Sequence, residues 1–225
     1  MTLAETIDEL RSLSCESSAK TYRNHGATGE VLGVKYADLY KIQKRIKKDH
    51  ALAQQLWTTD ISDARALAPL IADPDAWTVE MVATWLERVD NYGLGLALAA
   101  AVAKSPRHLD FFRTWKDDPR EWPSQLAWSI LAHNGETAAL SDAEILDLVA
   151  QVEREIHTRP NRTRYSMLGA MIAFGLRDSV REAVLAAADR IGAVEVIHAT
   201  KGCRTPDIRG DVEKTVAYRE GRRKK

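Results

Sequence analysis

Cysteine is scarce, a long apolar run is missing and net charge is absent from this 225-residue chain. Each lack removes a class of protein. Two cysteines, Cys15 and Cys203, are too few for a disulfide scaffold, so reduced thiols are expected. No apolar run approaches the roughly 18–20 residues that span a bilayer, so no membrane partner is expected. The opening stretch Met1–Glu9 carries acids and no basic segment, which reads against a secretory leader and for a cytoplasmic protein. Lys plus Arg number 32 and Asp plus Glu number 32, which excludes a polybasic nucleic-acid coat and an acidic solubilising tail. Gly26, Gly29 and Gly33 follow no strand-like segment, so they form neither a Walker nor a Rossmann phosphate loop. His198 and Cys203 have no zinc-site spacing and no second ligand pair, so neither a metal nor a cofactor is expected.

What is present is an uneven distribution behind the zero sum. Residues 1–34 carry net −2, 35–50 net +4, 51–153 net −9, 154–200 net +2 and 201–225 net +5. An acidic middle lies between basic ends, and such asymmetry steers partner choice more than the total does.

The pattern is helical from end to end. Alanine and leucine abound, and β-branched alternation is rare. Helices are expected at about 2–13, 15–24, 38–46 and 51–57, with a glycine-marked loop at 26–33. Four helices at 63–72, 92–103, 122–132 and 163–175 are apolar on most sides and rich in small residues, as helices buried between others are. Amphipathic helices at 78–88, 106–116, 142–157 and 179–191 alternate with them. The inner helices start 29, 30 and 41 residues apart, which is the period of stacked helix pairs. The expected fold is all-α, a right-handed α-α superhelix of HEAT- or armadillo-like pairs in one domain, 1–225. Residues 1–34 would be N-terminal helices, 35–200 the stacked pairs and 201–225 a segment ending in a frayed basic tail (Arg219, Arg222, Arg223, Lys224, Lys225).

Several residues invite a functional reading beside a structural one. Lys44, Arg45, Lys47 and Lys48 could touch phosphates or merely solvate a helix face. Arg159, Arg162 and Arg164 cluster at a helix start, either as a phosphate or carboxylate site or as partners of Glu153 and Glu155. His157 reads as a structural histidine. Trp85, Trp115 and Trp128 read as core, whereas Trp122, at a helix start beside Pro123, is a candidate for a groove.

Several segments carry a resemblance. Tyr22, the run Gly33–Ile42, Ala66–Asp73, Val89–Tyr92, Val102–Pro106, Trp115 to Trp122, Glu153–His157 with Pro160–Tyr165, and Gly202–Asp207 resemble the DNA alkylation repair family, the AlkD-like proteins built from HEAT-like helix pairs. The resemblance covers about residues 20–212. It implies a solenoid that wraps double-stranded DNA. It also implies, for active members, monofunctional release of cationic N3- and N7-alkylated purines. That chemistry needs a carboxylate for developing positive charge, aromatic faces beside the cation and an arginine near the backbone.

Carried over residue by residue, the resemblance keeps the aromatics and loses the charges. Tyr92 falls at the family's tryptophan and Leu96 at its aspartate. Pro123, Ser124 and Gln125 follow Trp122 where an arginine is implied. Phe174, before Gly175-Leu176-Arg177, matches the second aromatic. A six-residue slip would place Asp90 in the carboxylate role. The candidate catalytic positions are therefore Tyr92, Asp90 and Phe174. The candidate DNA contacts are Lys44, Lys47, Lys48, Trp122, Arg159, Arg162 and Arg164. DNA binding is the first reading and glycosylase activity is disfavoured. The alternatives are a non-catalytic scaffold for a protein or peptide partner, and a small-molecule pocket near Tyr92 and Trp122.

Overall fold

The computed structural model describes residues 1–200 and 202–223, with Arg223 described by its backbone alone. Lys201, Lys224 and Lys225 of the basic C-terminal segment lie outside the described residues. The described chain is all-α apart from a single bridge between Glu30 and Ile61. It falls into two compact units, Met1–Pro106 and Arg107–Lys225.

The first unit holds α1 (Leu3–Ser12), α2 (Glu16–Asn24), α3 (Tyr36–Ile46), α4 (His50–Thr58), α5 (Ser62–Ile71), a 3₁₀ turn at Pro74–Ala76, α6 (Val79–Leu86) and α7 (Tyr92–Val102). Local chemistry sets several starts. Thr2 and Glu5 cap α1 reciprocally, Asp49 accepts from the Leu52 amide and Asn91 accepts from the Leu94 amide. The centre of the unit is α5, which packs on α3, α4 and α7. Its small and apolar residues leave only Ala66 and Leu70 partly open. Trp57 of α4 stacks on Trp85 of α6 at 4.3 Å, and Trp77 meets Trp85 edge-on at 4.9 Å, so these three tryptophans are core.

The second unit holds α8 (His108–Trp115), α9 (Glu121–Asn134), α10 (Asp142–Glu155), α11 (Asn161–Gly175), α12 (Arg181–Ile191) and α13 (Ile208–Arg223). Ser141 and Glu144 form a reciprocal cap on α10. Helices α9 and α11 lie against each other along their length, and buried hydroxyls cross between them. Ser124 meets Thr163 at 2.6 Å and Ser129 meets Ser166 at 2.8 Å. Small side chains let the backbones approach, and the hydroxyls satisfy one another where water cannot reach.

Among the described residues the basic C-terminal segment is helical and not frayed, contrary to the expectation from its composition. Residues 208–223 form α13, which buries Ile208 and Val212 and packs on α11 and α12. Arg219 makes a two-pronged pair with Glu136 at 2.6 and 2.9 Å, and Arg222 lies over the Tyr218 ring.

Candidate functional site

The best-formed concavity of the first unit is a cleft of about 220 Å³. Helix α2 supplies Thr21 and Tyr22, α3 supplies Tyr36 and Leu39, α5 supplies Ser62, Asp63 and Ala66, and the start of α7 supplies Tyr92, Gly93 and Leu94. Asn91, His25 and Ala27 complete the wall. The wall is mainly apolar and aromatic. Tyr22 and Tyr36 meet edge-on at 6.3 Å, and the Tyr22 hydroxyl donates to the Val34 carbonyl at 3.0 Å. Burial pushes the Tyr36 phenol up to about 12, with Tyr22, Tyr40 and Asp63 adding to the effect. The ring edge is at the rim while the hydroxyl is turned inward, over Gly93: a methyl group on Gly93 would lie 3.4 Å from the Tyr36 Oη.

The cleft's shape depends on two buried side chains of α5 that hold the glycine-marked loop. Asp63 accepts from the amides of Leu32, Gly33 and Val34, at 2.7, 3.3 and 2.7 Å. Gly33 has φ +76°, and a methyl group there would sit 2.3 Å from both the Ala19 nitrogen and the Cys15 carbonyl, so only glycine fits. Arg65 donates to the carbonyls of Arg88 and Thr28 and pairs with Asp90 at 3.0 Å.

Asp90 therefore serves the loop and not the cleft. It binds Arg65, the hydroxyl and amide of Thr28, and the Asn91 side-chain amide, and it is not among the cleft-lining residues. Burial raises its pKa, but the Thr28 hydroxyl, Arg65 and Asn91 outweigh that and leave it below the ordinary carboxylate value. These partners, and its absence from the cleft lining, weigh against the slip that would make Asp90 the catalytic carboxylate. Tyr92 lines the cleft. Leu96, one turn on, is half-exposed on the same stripe of α7, so the aspartate position carries an apolar side chain.

Two further expected positions are closed to any ligand. Phe174 is fully buried in α11, where its ring helps to fill the core. Gln125, in the stretch where an arginine is implied, is fully buried in α9 and donates to Ser129 at 2.8 Å.

The candidate contacts divide in the same way. Lys44 and Lys47 are exposed and make no ion pair among the described residues, while Lys48 pairs with Asp73 at 3.0 Å and Arg45 pairs with Glu9. Arg159 is corrected from a phosphate contact to an internal clamp. Its side chain is mostly buried, donates to the carbonyls of Lys116 and Asp118, and lies 3.8 Å from Glu155. Arg162 gives its backbone amide to Glu121, and Arg164 is half-buried with no ion pair among the described residues. Trp122 is half-exposed in the first turn of α9, whereas every residue that lines the cleft comes from the first unit. His157 donates its Nε2–H to the Ile191 carbonyl, 3.0 Å away, as a structural histidine does.

Tyr36 and Tyr40 were not anticipated, nor was Asp63. The tyrosines were legible as i, i+4 neighbours of Lys44 on the face of α3 opposite Leu39, Ile42 and Ile46. The role of Asp63 lies in long-range amides, which no local pattern reveals.

The acidic middle is partly offset inside the fold. Four of its acids take partners from the basic flanks: Asp73 from Lys48, Asp142 from Arg177, Glu153 from Arg190 and Glu136 from Arg219. Others pair locally, including Asp90, Asp110, Asp117, Asp118 and Glu144. The segment arithmetic is thus no measure of the field outside the protein.

Comparison with known proteins agrees with this geometry. The profile of a family described as DNA alkylation repair enzyme matches residues 6–201. An uncharacterised protein of Listeria monocytogenes is 31% identical over 221 residues, covering 95% of this chain and 97% of its own. An uncharacterised protein of Listeria innocua is 30% identical over the same span. A solved structure described as belonging to a new family of proteins related to the HEAT-like repeat DNA glycosylases, with affinity for branched DNA structures, superposes with a TM-score of 0.86. It is 25% identical and covers 97% of this chain and 95% of its own. The all-α, HEAT-like fold expected from the helix periodicity is the fold found.

Proposed function

Since this chain belongs to the DNA alkylation repair enzyme family, we propose that it binds DNA, branched DNA in preference to linear duplex, and excises no base. One observation carries the absence of excision: an aromatic lines the cleft, and the positions where the resemblance implies charged groups hold none. Tyr92 faces the cleft, yet Leu96 stands where the carboxylate is implied, Gln125 is sealed in the core, and Asp90 is committed to Arg65 and Thr28. An apolar side chain cannot stabilise positive charge developing on a sugar. The branched preference is supported by the described affinity of the structural neighbour.

Exposed Lys44 and Lys47 are suited to phosphate, and the pairing of four middle acids with flanking bases reduces the repulsion that the segment counts suggested. The same pairing weakens the case for a scaffold that recruits a basic partner. The test is a salt series on a four-way junction and on a linear duplex of equal length. Tighter binding to the junction, falling steeply with salt, is the expected result. Equal affinity for both would remove the branched preference, and no salt-dependent binding would remove DNA as the ligand.

A further inference from the structure

We propose that the exposed face of α3 is a track for an unpaired DNA strand, running from Lys47 and Lys44 past Tyr40 and Tyr36 toward the cleft at Tyr22. This rests on the reading that the chain binds DNA, and it names the part of a branched substrate that is held.

Tyr36, Tyr40 and Lys44 are successive i, i+4 neighbours, and Lys47 caps the same helix end. The opposite face, through Leu39 and Ile42, is sealed in the core. Tyr40 is 50% exposed and Tyr36 36%, which is much aromatic surface to leave in water without a use. The rings form a staircase. Tyr22 to Tyr36 is 6.3 Å between centroids and Tyr36 to Tyr40 is 6.4 Å, with planes inclined at 76° and 46°.

That geometry selects the ligand. A duplex offers a ring only phosphates, sugars and base edges, because every base face inside it is already stacked. An unpaired strand offers base faces, and stacking on aromatic side chains is the sequence-tolerant way to hold them. The ring spacing is nearly twice the ~3.4 Å rise of a strand within a duplex. It therefore suits an extended strand with about one base per ring. The inclined planes likewise cannot accept a rigid stack of parallel bases.

The charges agree. Lys44 and Lys47 make no ion pair among the described residues, while the neighbouring Lys41, Arg45 and Lys48 pair with Asp38, Glu9 and Asp73. At the C-terminal end of α3 the cations left for a ligand among the described residues, Lys44 and Lys47, are those that continue the tyrosine face, and Lys35 at the helix start is likewise without an ion pair. An apolar or proline-rich peptide would use the rings but not the lysines. A strand of nucleic acid uses both.

The test uses the full chain with two junctions of identical paired arms, one fully paired and one bearing an unpaired six-nucleotide flap. The readout is the flap advantage, the ratio of the two dissociation constants. A fluorescent base analogue in the flap reports stacking by quenching. For the wild type, the flap is expected to tighten binding and to be quenched. Tyr40→Ala is expected to cut the flap advantage by roughly 5- to 150-fold and to restore the fluorescence, the usual effect of removing one stacking ring. Tyr40→Phe keeps the ring and is expected to keep the advantage.

The double variant Lys44→Ala, Lys47→Ala is expected to flatten the slope of log K against log salt for the flapped junction by about 1.4, from about 0.7 per single-strand phosphate contact. If the wild type binds both junctions and Tyr40→Ala leaves the flap advantage untouched, the track is wrong while DNA binding stands. If the wild type binds neither junction, the DNA-binding reading itself fails and takes the track with it.

Discussion

Asp90 and Arg65 show how a residue with the right chemistry can be spent on structure. Their side chains are 18% and 4% exposed, so the pair is largely sheltered from solvent. Arg65→Met is expected to cost about 3–5 kcal/mol, because it strands a carboxylate with its partner removed. A denaturant titration would show this as a lower midpoint. Because the folded pKa of Asp90 is depressed, its contribution is present above the unfolded value near 4 and is lost as pH falls through the folded value. Asp90→Asn should therefore flatten the acid limb of the stability curve while leaving DNA chemistry unchanged. Phe174→Ala is expected to destabilise the fold by about 3–5 kcal/mol, as emptying a buried aromatic site does, and to leave junction affinity unaltered in the fraction that remains folded.

Cys15 is half-exposed at the start of α2, and hydrogen bonds from Ser17 and Ser18, with Lys35 nearby, lower its thiol to about 7. Its alkylation rate should rise through an apparent pKa near that value, which a pH series with iodoacetamide and mass mapping would read. At this scale the sequence was legible where a position carries its own meaning. Tyr92 and Leu96 were assigned their positions by the family resemblance. Phe174, Arg159 and Asp90 could not be placed, because burial and partner choice depend on segments dozens of residues away.

Helices were the most legible level. The apolar, small-residue character of 63–72, 92–103, 122–132 and 163–175 foretold α5, α7, α9 and α11, since a helix without a polar face must be covered on all sides. The helix expected from 142 begins at Asp142, capped by Ser141 and Glu144. Helix α13 was missed for the opposite reason. Its sequence is dominated by charged side chains, and its anchoring rests on the Arg219–Glu136 pair and on Ile208 and Val212, an i, i+4 stripe too narrow to stand out among those charges.

The contact that seats α13 is tight. A methyl group on Gly175 would lie 2.6 Å from a Val212 methyl, so Gly175→Ala is expected to force a shift and cost about 1–3 kcal/mol. The accompanying measurement is hydrogen exchange. Protection should fall first in 208–223, and unchanged protection there would mean that α13 does not depend on this contact.

At the scale of the whole chain, charge is distributed by pairing as well as by count. Four acids of 51–153 take bases of the flanking segments as partners, among them Glu136 with Arg219 and Glu153 with Arg190. Each exposed pair stabilises little on its own. Together they remove acidic charge that would oppose a polyanion, and they leave Lys44 and Lys47 beside the tyrosines of α3.

The central claim is that this member of the DNA alkylation repair family holds DNA and does not excise from it. The most direct test is a single incubation of the full chain with a flapped junction that carries N7-methylguanine, with complex and liberated base quantified in the same sample. The account predicts a stable, salt-sensitive complex and no methylguanine released above the protein-free control. Release that scales with protein concentration would contradict it, and so would a sample in which no complex forms.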